Sequence, residues 1–350
     1  MTRVAMLTPY SDPVPGGIST VVSGLQALLR DHGNEVYTLA GEGNGDIAEH
    51  SNLGSGVAYV RHSLKRLRRL SVDIVHAHAH WYTLMAAIRY RRVNPDVRLV
   101  FTFHTSDLSH WAPLFSWLLA RADVLTFVSA SQLAQLRNVL RLGGDLRILY
   151  PGIYFRTLEN GTKEEWMARY GLSGSFPLIV FVGPLDYPLK VQGVVDLVGV
   201  TKHLRETYPT AKLLVVGDGK LKNRVLEASR ALEDFVTVTG FVSDPSAAFA
   251  IGDIYCHMSY QESFGIAVLE AMSMGSCVVV LSNAGVSELV DDSSGIVVGP
   301  DPNSVAEAVR KLAADSGARR MLGLQARETV IRHHTWDARW PILRSIYGFV

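Results

Sequence analysis

Residues 261–275 place two carboxylates, Glu262 and Glu270, eight positions apart. Ser263, Phe264 and Gly265 follow the first, and an apolar run, Ile266 to Leu269, leads into the second. Ile266, Leu269 and Met272 recur at helical spacing, which predicts a short helix with a buried face, and Gly275 is a natural stop for it. Glu262 then lies in the loop before the helix and Glu270 more than one turn inside. The backbone N–H groups at such a helix start, from about Phe264 through Gly265 and Ile266 to Ala267, carry partial positive charge and suit a phosphate or a sugar hydroxyl oxygen. Glu262 can accept from hydroxyls of the same ligand. A carboxylate inside an apolar helix is costly without a partner, so Glu270 points to a pair of ligand hydroxyls, as on a ribose.

Other residues of the same kind are scattered along the chain. His104 stands where the apolar run Phe101–Phe103 ends, the place where ligands meet parallel sheets, and Asp107 follows as a candidate for orienting an acceptor. Gly16 and Gly17 close a loop holding three prolines, directly before a helical pattern from Ile18 to about His32. Bare glycine amides there can approach a phosphate closely, although a tight turn accounts for the pair equally well, and the dinucleotide fingerprint Gly-x-Gly-x-x-Gly is absent. Lys190 sits in the loop between Gly183 and Gly193 and can neutralise a diphosphate. His76, His78 and His80 alternate, which suggests a metal site. Period two at a strand end sets them on one side of a loop, without cysteine or carboxylate company, so no metal is expected there. No Asp-x-Asp motif is present and no cofactor is expected.

The elements that must hold these residues read as two α/β series. Strand-like runs occur at Val4–Leu7, Glu35–Leu39, Val72–His76, Arg98–Phe103, Val124–Val128 and Leu146–Leu149, with helical patterns between several of them. Pro151-Gly152 breaks the pattern. A second series follows at Leu178–Val182, Lys212–Val216, Phe235–Thr239, Asp253–His257, Cys277–Leu281 and Gly295–Val298. The alternation implies two doubly wound, Rossmann-like parallel sheets covered by helices, one over 1–152 and one over 153–336.

The chain has 350 residues, 48% hydrophobic and 19% charged, enough for two buried cores. Its net charge of +1 gives no reason to expect a nucleic-acid partner. Residues 1–150 carry +4 and residues 151–350 carry −3, so the first half is the one suited to an anionic acceptor or membrane. The basic stretch 61–69, interleaved with Leu64, Leu67 and Leu70, reads as an amphipathic helix; a solvated face on the sheet is the plainer reading and contact with anionic lipid the functional one. Cys256 and Cys277 lie in apolar strand-like runs, which fits reduced core residues and a cytoplasmic location. The chain opens on a short strand pattern rather than a signal peptide, and no run is long enough to span a bilayer.

The wording Glu-Ser-Phe-Gly-Ile-Ala-Val-Leu-Glu-Ala-Met-Ser-Met-Gly from Glu262 to Gly275 resembles the Glu-x7-Glu motif of the retaining nucleotide-sugar glycosyltransferases of family 4. The resemblance spans nearly the whole chain, with its most specific motifs in the second half. It implies the GT-B architecture, two Rossmann-like domains facing across a cleft, with a last helix over 337–350 returning to the first domain. It also implies that Glu262, Phe264 and Gly265 hold the donor sugar and phosphate and Glu270 the ribose. The same resemblance implies that Gly16 and Gly17 contact the diphosphate, that His104 touches the sugar near the reacting carbon, and that Lys190 clamps the diphosphate. It implies too that the segment Thr239 to Asp244, with Val242, holds the base through backbone groups. The family's usual Gly-Arg-Leu is here Gly183-Pro184-Leu185, so the clamping Arg is missing, and Lys190 comes one residue late with Val191-Gln192 before Gly193. The expected reaction is metal-independent transfer of a sugar from a UDP- or GDP-sugar to a hydroxyl of a glycan, lipid-linked or small-molecule acceptor. A nucleotide-sugar epimerase of the same fold and a non-catalytic binding subunit are the alternatives.

Overall fold

A computed structural model describes residues 1–349 except 15, 44–55, 106–111, 156–157, 160, 233 and 283–284. The chain forms two compact units, Met1–Tyr154 with Thr335–Val350, and Phe155–His334. In the first unit the elements run β1 (Arg3–Tyr10), α1 (Gly17–Asp31), β2 (Glu35–Glu42), α2 (Gly56–Leu70), β3 (Ile74–His78), α3 (Trp81–Arg91), β4 (Arg98–Phe103), α4 (Ala112–Leu119), β5 (Val124–Phe127), α5 (Ala130–Arg137) and β6 (Asp145–Ile148). The second unit holds α6 (Thr162–Arg169), β7 (Leu178–Val182), α7 (Pro188–Leu204), β8 (Lys212–Val216), α8 (Lys222–Ser229), β9 (Val236–Val238), α9 (Ser246–Ile251), β10 (Ile254–His257), α10 (Ile266–Ser273), β11 (Val278–Leu281), β12 (Ile296–Val298), α11 (Pro302–Ala314) and α12 (Ser316–His333). Helix α13 (Trp336–Tyr347) belongs to the first unit.

Each unit is built on a six-stranded sheet, ordered β2-β1-β3-β4-β5-β6 in the first and β12-β11-β10-β7-β8-β9 in the second. All strand pairs are parallel. Central parallel strands are covered on both faces, which is why β7 (Leu-Ile-Val-Phe-Val) and β11 (Val-Val-Val-Leu) are apolar without alternation and wholly buried. One device fixes register in both sheets. Asp73, Asp123 and Asp253 each stand just before a strand and accept an N–H from the first or second residue of its neighbour, from Arg3 (2.7 Å), Leu99 (2.7 Å) and Leu178 (2.8 Å). A slip by one residue would cost that charge-assisted bond as well as the packing.

Helix α13 is held in the first unit by specific contacts. Thr335 caps it, accepting from Ala338 N at 3.1 Å. Trp336 is buried against Gly24, where an added Cβ would meet the indole at 2.1 Å. Tyr347 Oη lies 2.7 Å from His76 Nδ1, and Arg98 Nε donates to the Ile346 carbonyl at 2.8 Å. The Pro151-Gly152 segment, expected as a linker, is part of this packing: Ile153 bridges Thr335, and a Cβ on Gly152 would meet the Trp336 backbone at 2.7 Å.

One expectation needs correction, and for the basic stretch the plainer reading, a solvated face on the sheet, is the one the packing supports. The strand expected at Val72–His76 lies two residues later, so His76 and His78 are inside β3 and fully buried rather than on a loop. His76 tolerates this with a hydrogen-bond partner at each ring nitrogen, and His78 with one at Nδ1. The apolar positions of α2 are committed to the protein: Val60 and Leu67 are buried and Leu64 and Leu70 pack on the core, leaving Arg61, Lys65, Arg68 and Arg69 exposed. Among the described residues no helix is long and apolar enough to cross a membrane.

Candidate functional site

In the second sheet the strand order reverses between β7 and β10, and ligands of such sheets bind beyond the carboxyl ends of the strands at that point. Two loops converge there. After β7 comes Gly183, then α7, started by Pro188 at its first position with Lys190 in its first turn. After β10 comes Glu262. Lys190 Nζ stands 2.9 Å from Glu262 Oε2, and His257 Nε2 is 3.2 Å from the same oxygen. Tyr255 Oη is 3.0 Å from His257 Nδ1 and 3.4 Å from the Val182 carbonyl. Burial lowers the His257 pKa more than Glu262 raises it, so the ring is neutral. Its Nε2–H then donates to Glu262, and its Nδ1 accepts from the Tyr255 hydroxyl. Burial pushes the Glu262 carboxyl up, but Lys190 and His257 together outweigh it and hold the group ionised well below the usual carboxylate range. Both contacts land on Oε2, so Oε1 has no protein partner among the described residues.

Helix α10 opens as the spacing required. Gly265 caps it with φ 90°, a conformation that favours glycine, and no side chain caps the helix start. Phe264 and Gly265 are buried and Ile266 is half-buried. Gly285, also left-handed with φ 84°, brings its backbone so near that a Cβ would sit 2.1 Å from the Ser263 carbonyl oxygen. The buried face of α10 is Val268, Leu269, Ala271 and Met272. Glu270 is not on it: with Ile266 and Met274 it forms a half-exposed stripe one turn apart, so holding this carboxylate costs less than the sequence suggested. Burial, then Glu270, then Glu262 drive the Tyr255 pKa far up, which puts both carboxylates within electrostatic reach of one phenol. Val242 lies half-buried in the loop after β9, beyond the bridge in which Gly217 N donates to the Gly240 carbonyl at 3.0 Å. Lys222, on α8, is 3.3 Å from Asp218 Oδ2.

The first unit gathers the remaining candidates. Its order reverses between β1 and β3. Gly16, with φ 146°, caps α1, Gly17 begins the helix, and no side chain caps it. A Cβ on Gly16 would meet nothing within 4 Å, so backbone conformation rather than crowding calls for glycine there. His104 follows β4, half-buried, with Nε2 3.1 Å from His78 Nδ1. Burial, helped by His80, pushes its pKa down to about 3, so it is a neutral ring near pH 7. His76 is likewise pushed to about 3 by burial and bonds Tyr347 and Thr102. Among the described residues no group of three His, Cys, Asp or Glu side chains could hold a metal ion. Asp107 lies outside the described residues.

Thus Lys190, Glu262 and Glu270 are brought together in the second unit, and Gly16, Gly17 and His104 belong to the first. Sequence reading missed Tyr255, His257 and the link from His78 to His104. The signal was present: polar residues two apart at the carboxyl ends of otherwise apolar strands.

Two family models match the chain, "Glycosyltransferase Family 4" over residues 15–155 and "Glycosyl transferases group 1" over 176–315. A phosphatidyl-myo-inositol mannosyltransferase of Mycolicibacterium smegmatis is 27% identical over 377 residues, covering 99% of this chain and 94% of that protein. The N-acetyl-alpha-D-glucosaminyl L-malate synthase of Bacillus anthracis is 26% identical over 274 residues, covering 75% and 71%. Among solved structures, sucrose-phosphate synthase from Thermosynechococcus elongatus superposes with a TM-score of 0.84 at 21% identity, covering 99% of this chain and 98% of that one. Anabaena HepE in complex with UDP and glucose superposes with a TM-score of 0.77 at 17% identity, covering both chains fully. The two family matches, one on each sheet domain, and the shared GT-B fold place the chain among the family 4 glycosyltransferases.

Proposed function

We propose that the protein is a retaining, metal-independent glycosyltransferase that moves a sugar from a UDP- or GDP-sugar to an acceptor hydroxyl. The observation that carries this reading is Glu262, ionised by Lys190 and His257 on Oε2 and open on Oε1, at the mouth of an uncapped helix. Oε1 accepts from a sugar hydroxyl while Lys190 meets the diphosphate. The bond from the anomeric carbon to the diphosphate breaks with its electron pair going to the leaving oxygen. The acceptor oxygen attacks the same face, and its proton passes to the departing phosphate, so no protein base is assigned. Lys190 and the amides near Gly16, Gly17, Gly265 and Ile266 stabilise the charge that develops, usually the largest catalytic contribution. His104 and Glu262 position the sugar, Glu270 takes the ribose hydroxyls, and backbone near Gly183 and Val242 receives the nucleotide. Complexes of HepE with UDP and with UDP-glucose support a uridine nucleotide as the donor handle.

For the acceptor, relatives named phosphatidyl-myo-inositol mannosyltransferases support a lipid-linked hydroxyl over a free sugar. The basic face of α2, with Arg61, Lys65, Arg68 and Arg69 exposed, suits anionic headgroups through charge alone, because its apolar side is spent on the core. The buried thiols of Cys256 and Cys277 fit a reducing, cytoplasmic setting. The test is donor turnover by Glu262→Ala: a fall on the order of 100-fold is expected, and near-normal turnover defeats the assignment. Flotation with anionic liposomes tests the membrane contact, which is lost on reversing Lys65 and Arg68 to Glu.

A further inference from the structure

The two histidines at the ends of β3 and β4 share a single proton across their contact, and the surroundings decide which ring supplies it. His78 is fully buried, and its Nδ1 is 3.1 Å from His104 Nε2. Both rings are held neutral by burial, so each carries one N–H. If His104 donated from Nε2, His78 would carry its own proton on Nε2. That atom is buried and has no hydrogen-bond partner among the described residues. A buried N–H without an acceptor is rarer in folded proteins than an under-used acceptor. If instead His78 donates from Nδ1, its Nε2 is a bare lone pair and His104 must hold its proton on Nδ1.

We propose that His78 is a positioning residue for His104: by donating from Nδ1 to Nε2 it holds His104 as the Nδ1–H tautomer, so that the ring offers the donor sugar a hydrogen-bond donor. The inference deepens, and depends on, the donor-sugar role given to His104 above. His78 is itself fixed from behind. Its ring packs on His76 with centroids 4.1 Å apart, and His76 is tied at both nitrogens, to Tyr347 Oη at 2.7 Å and to Thr102 Oγ1 at 2.6 Å. His76 cannot flip without breaking those bonds, nor His78 without losing its contact to His104. The chain of contacts supplies rigid orientation, as outer partners do for the histidines of metal sites, but here the oriented group is an N–H aimed at a hydroxyl. With Nε2 occupied, Nδ1 is the nitrogen left for a ligand, and it gives a hydrogen bond without accepting a proton.

Ring-nitrogen correlation spectra of protein labelled with nitrogen-15 histidine read the tautomer directly, with His104 assigned by the signals that vanish in His104→Gln. In the unsubstituted protein His104 is expected to be protonated on Nδ1 and bare on Nε2; protonation on Nε2 overturns the proposal. In His78→Leu the His104 signals are expected to move towards a mixture, with kcat for transfer falling on the order of 10-fold and the donor KM little changed. An unchanged His104 tautomer in that variant also overturns it. His78→Asn, which keeps a donor at the same place, is expected to retain the Nδ1–H form and most of kcat, and it serves where the leucine variant does not fold; an Nε2–H form there counts against the proposal. If the spectra are as expected but His104→Gln transfers sugar at the normal rate, the tautomer assignment stands and the role of His104 falls.

Discussion

Lys190 Nζ and Glu262 Oε2 form a 2.9 Å ion pair between the first turn of α7 and the loop after β10, the two segments that meet where the second sheet reverses its strand order. Side-chain exposure of 11% and 17% leaves the pair little water. Removing one partner leaves the other charge half-stranded, whereas removing both does not. Glu262→Gln and Lys190→Met are each expected to lower stability by about 3 kcal/mol, and the double variant by clearly less than their sum. Urea unfolding of the four proteins measures this cycle; strict additivity would show that the two groups do not interact. Transfer activity behaves differently, since either single change removes a group from the donor site and is expected to cost on the order of 100-fold.

Stability should fall as the solution is acidified from near neutrality, well before carboxylates protonate. His76 is held down to about 3 by burial, against 6.5 when free. Between those values the unfolded chain binds a proton that the native protein does not, so unfolding gains and stability drops as pH falls. One such histidine contributes about 1.4 kcal/mol per pH unit. Glu262 acts in the same direction but lower down, because its depressed folded pKa makes its contribution disappear only below the ordinary glutamate range. Urea midpoints at several pH values between 7 and 5 check the histidine part. His76→Gln should flatten the slope, and an equal slope in that variant would remove His76 as its source.

Gly285→Ala tests the backbone that shapes the entrance of α10. The new Cβ would lie 2.1 Å from the Ser263 carbonyl oxygen, and the residue has φ 84°. Both backbones must move apart, at a cost of roughly 1–3 kcal/mol, and the shift displaces the Phe264–Gly265 amides. Donor affinity should drop with stability. Gly143→Ala is the control, because nothing lies within 4 Å of its Cβ position. Nucleotide titration by calorimetry of the two variants separates them; equal affinity would detach the Gly285 turn from donor binding.

A screen of UDP, GDP and ADP and their sugars by thermal shift should single out one base, because a nucleotide bound only to the native state raises its melting temperature. The same shift is expected with EDTA present, and loss of the shift on chelation would contradict metal-independent binding.

Much of this protein was legible from residue order. The strands at Arg98–Phe103, Leu178–Val182 and Lys212–Val216 fall where their apolar runs stand, because central parallel strands need an unbroken apolar stretch that few other elements want. The start of α10 was legible because Gly265 and Gly275 punctuate it. The meeting of Lys190 with Glu262 was legible only through the family resemblance, which sets both on one donor, since the strand order that joins their loops is a long-range choice that local spacing does not encode. The burial of His76 and His78 was missed for a related reason. A histidine looks polar in a sequence, yet inside β3 the two nitrogens of His76 are satisfied by residues 26 and 271 positions away, and Nδ1 of His78 by one 26 positions away.

Because Trp336 fills the space over Gly24 and Tyr347 closes on His76, the first unit is assembled from both ends of the chain. Synthesis from the amino terminus therefore leaves its sheet without one wall until residues 335–350 have emerged, by which time all of the second unit has been made. A stop codon or proteolytic nick after His334 would damage the histidine cluster at the opposite end of the sequence, while leaving Lys190 and Glu262 intact.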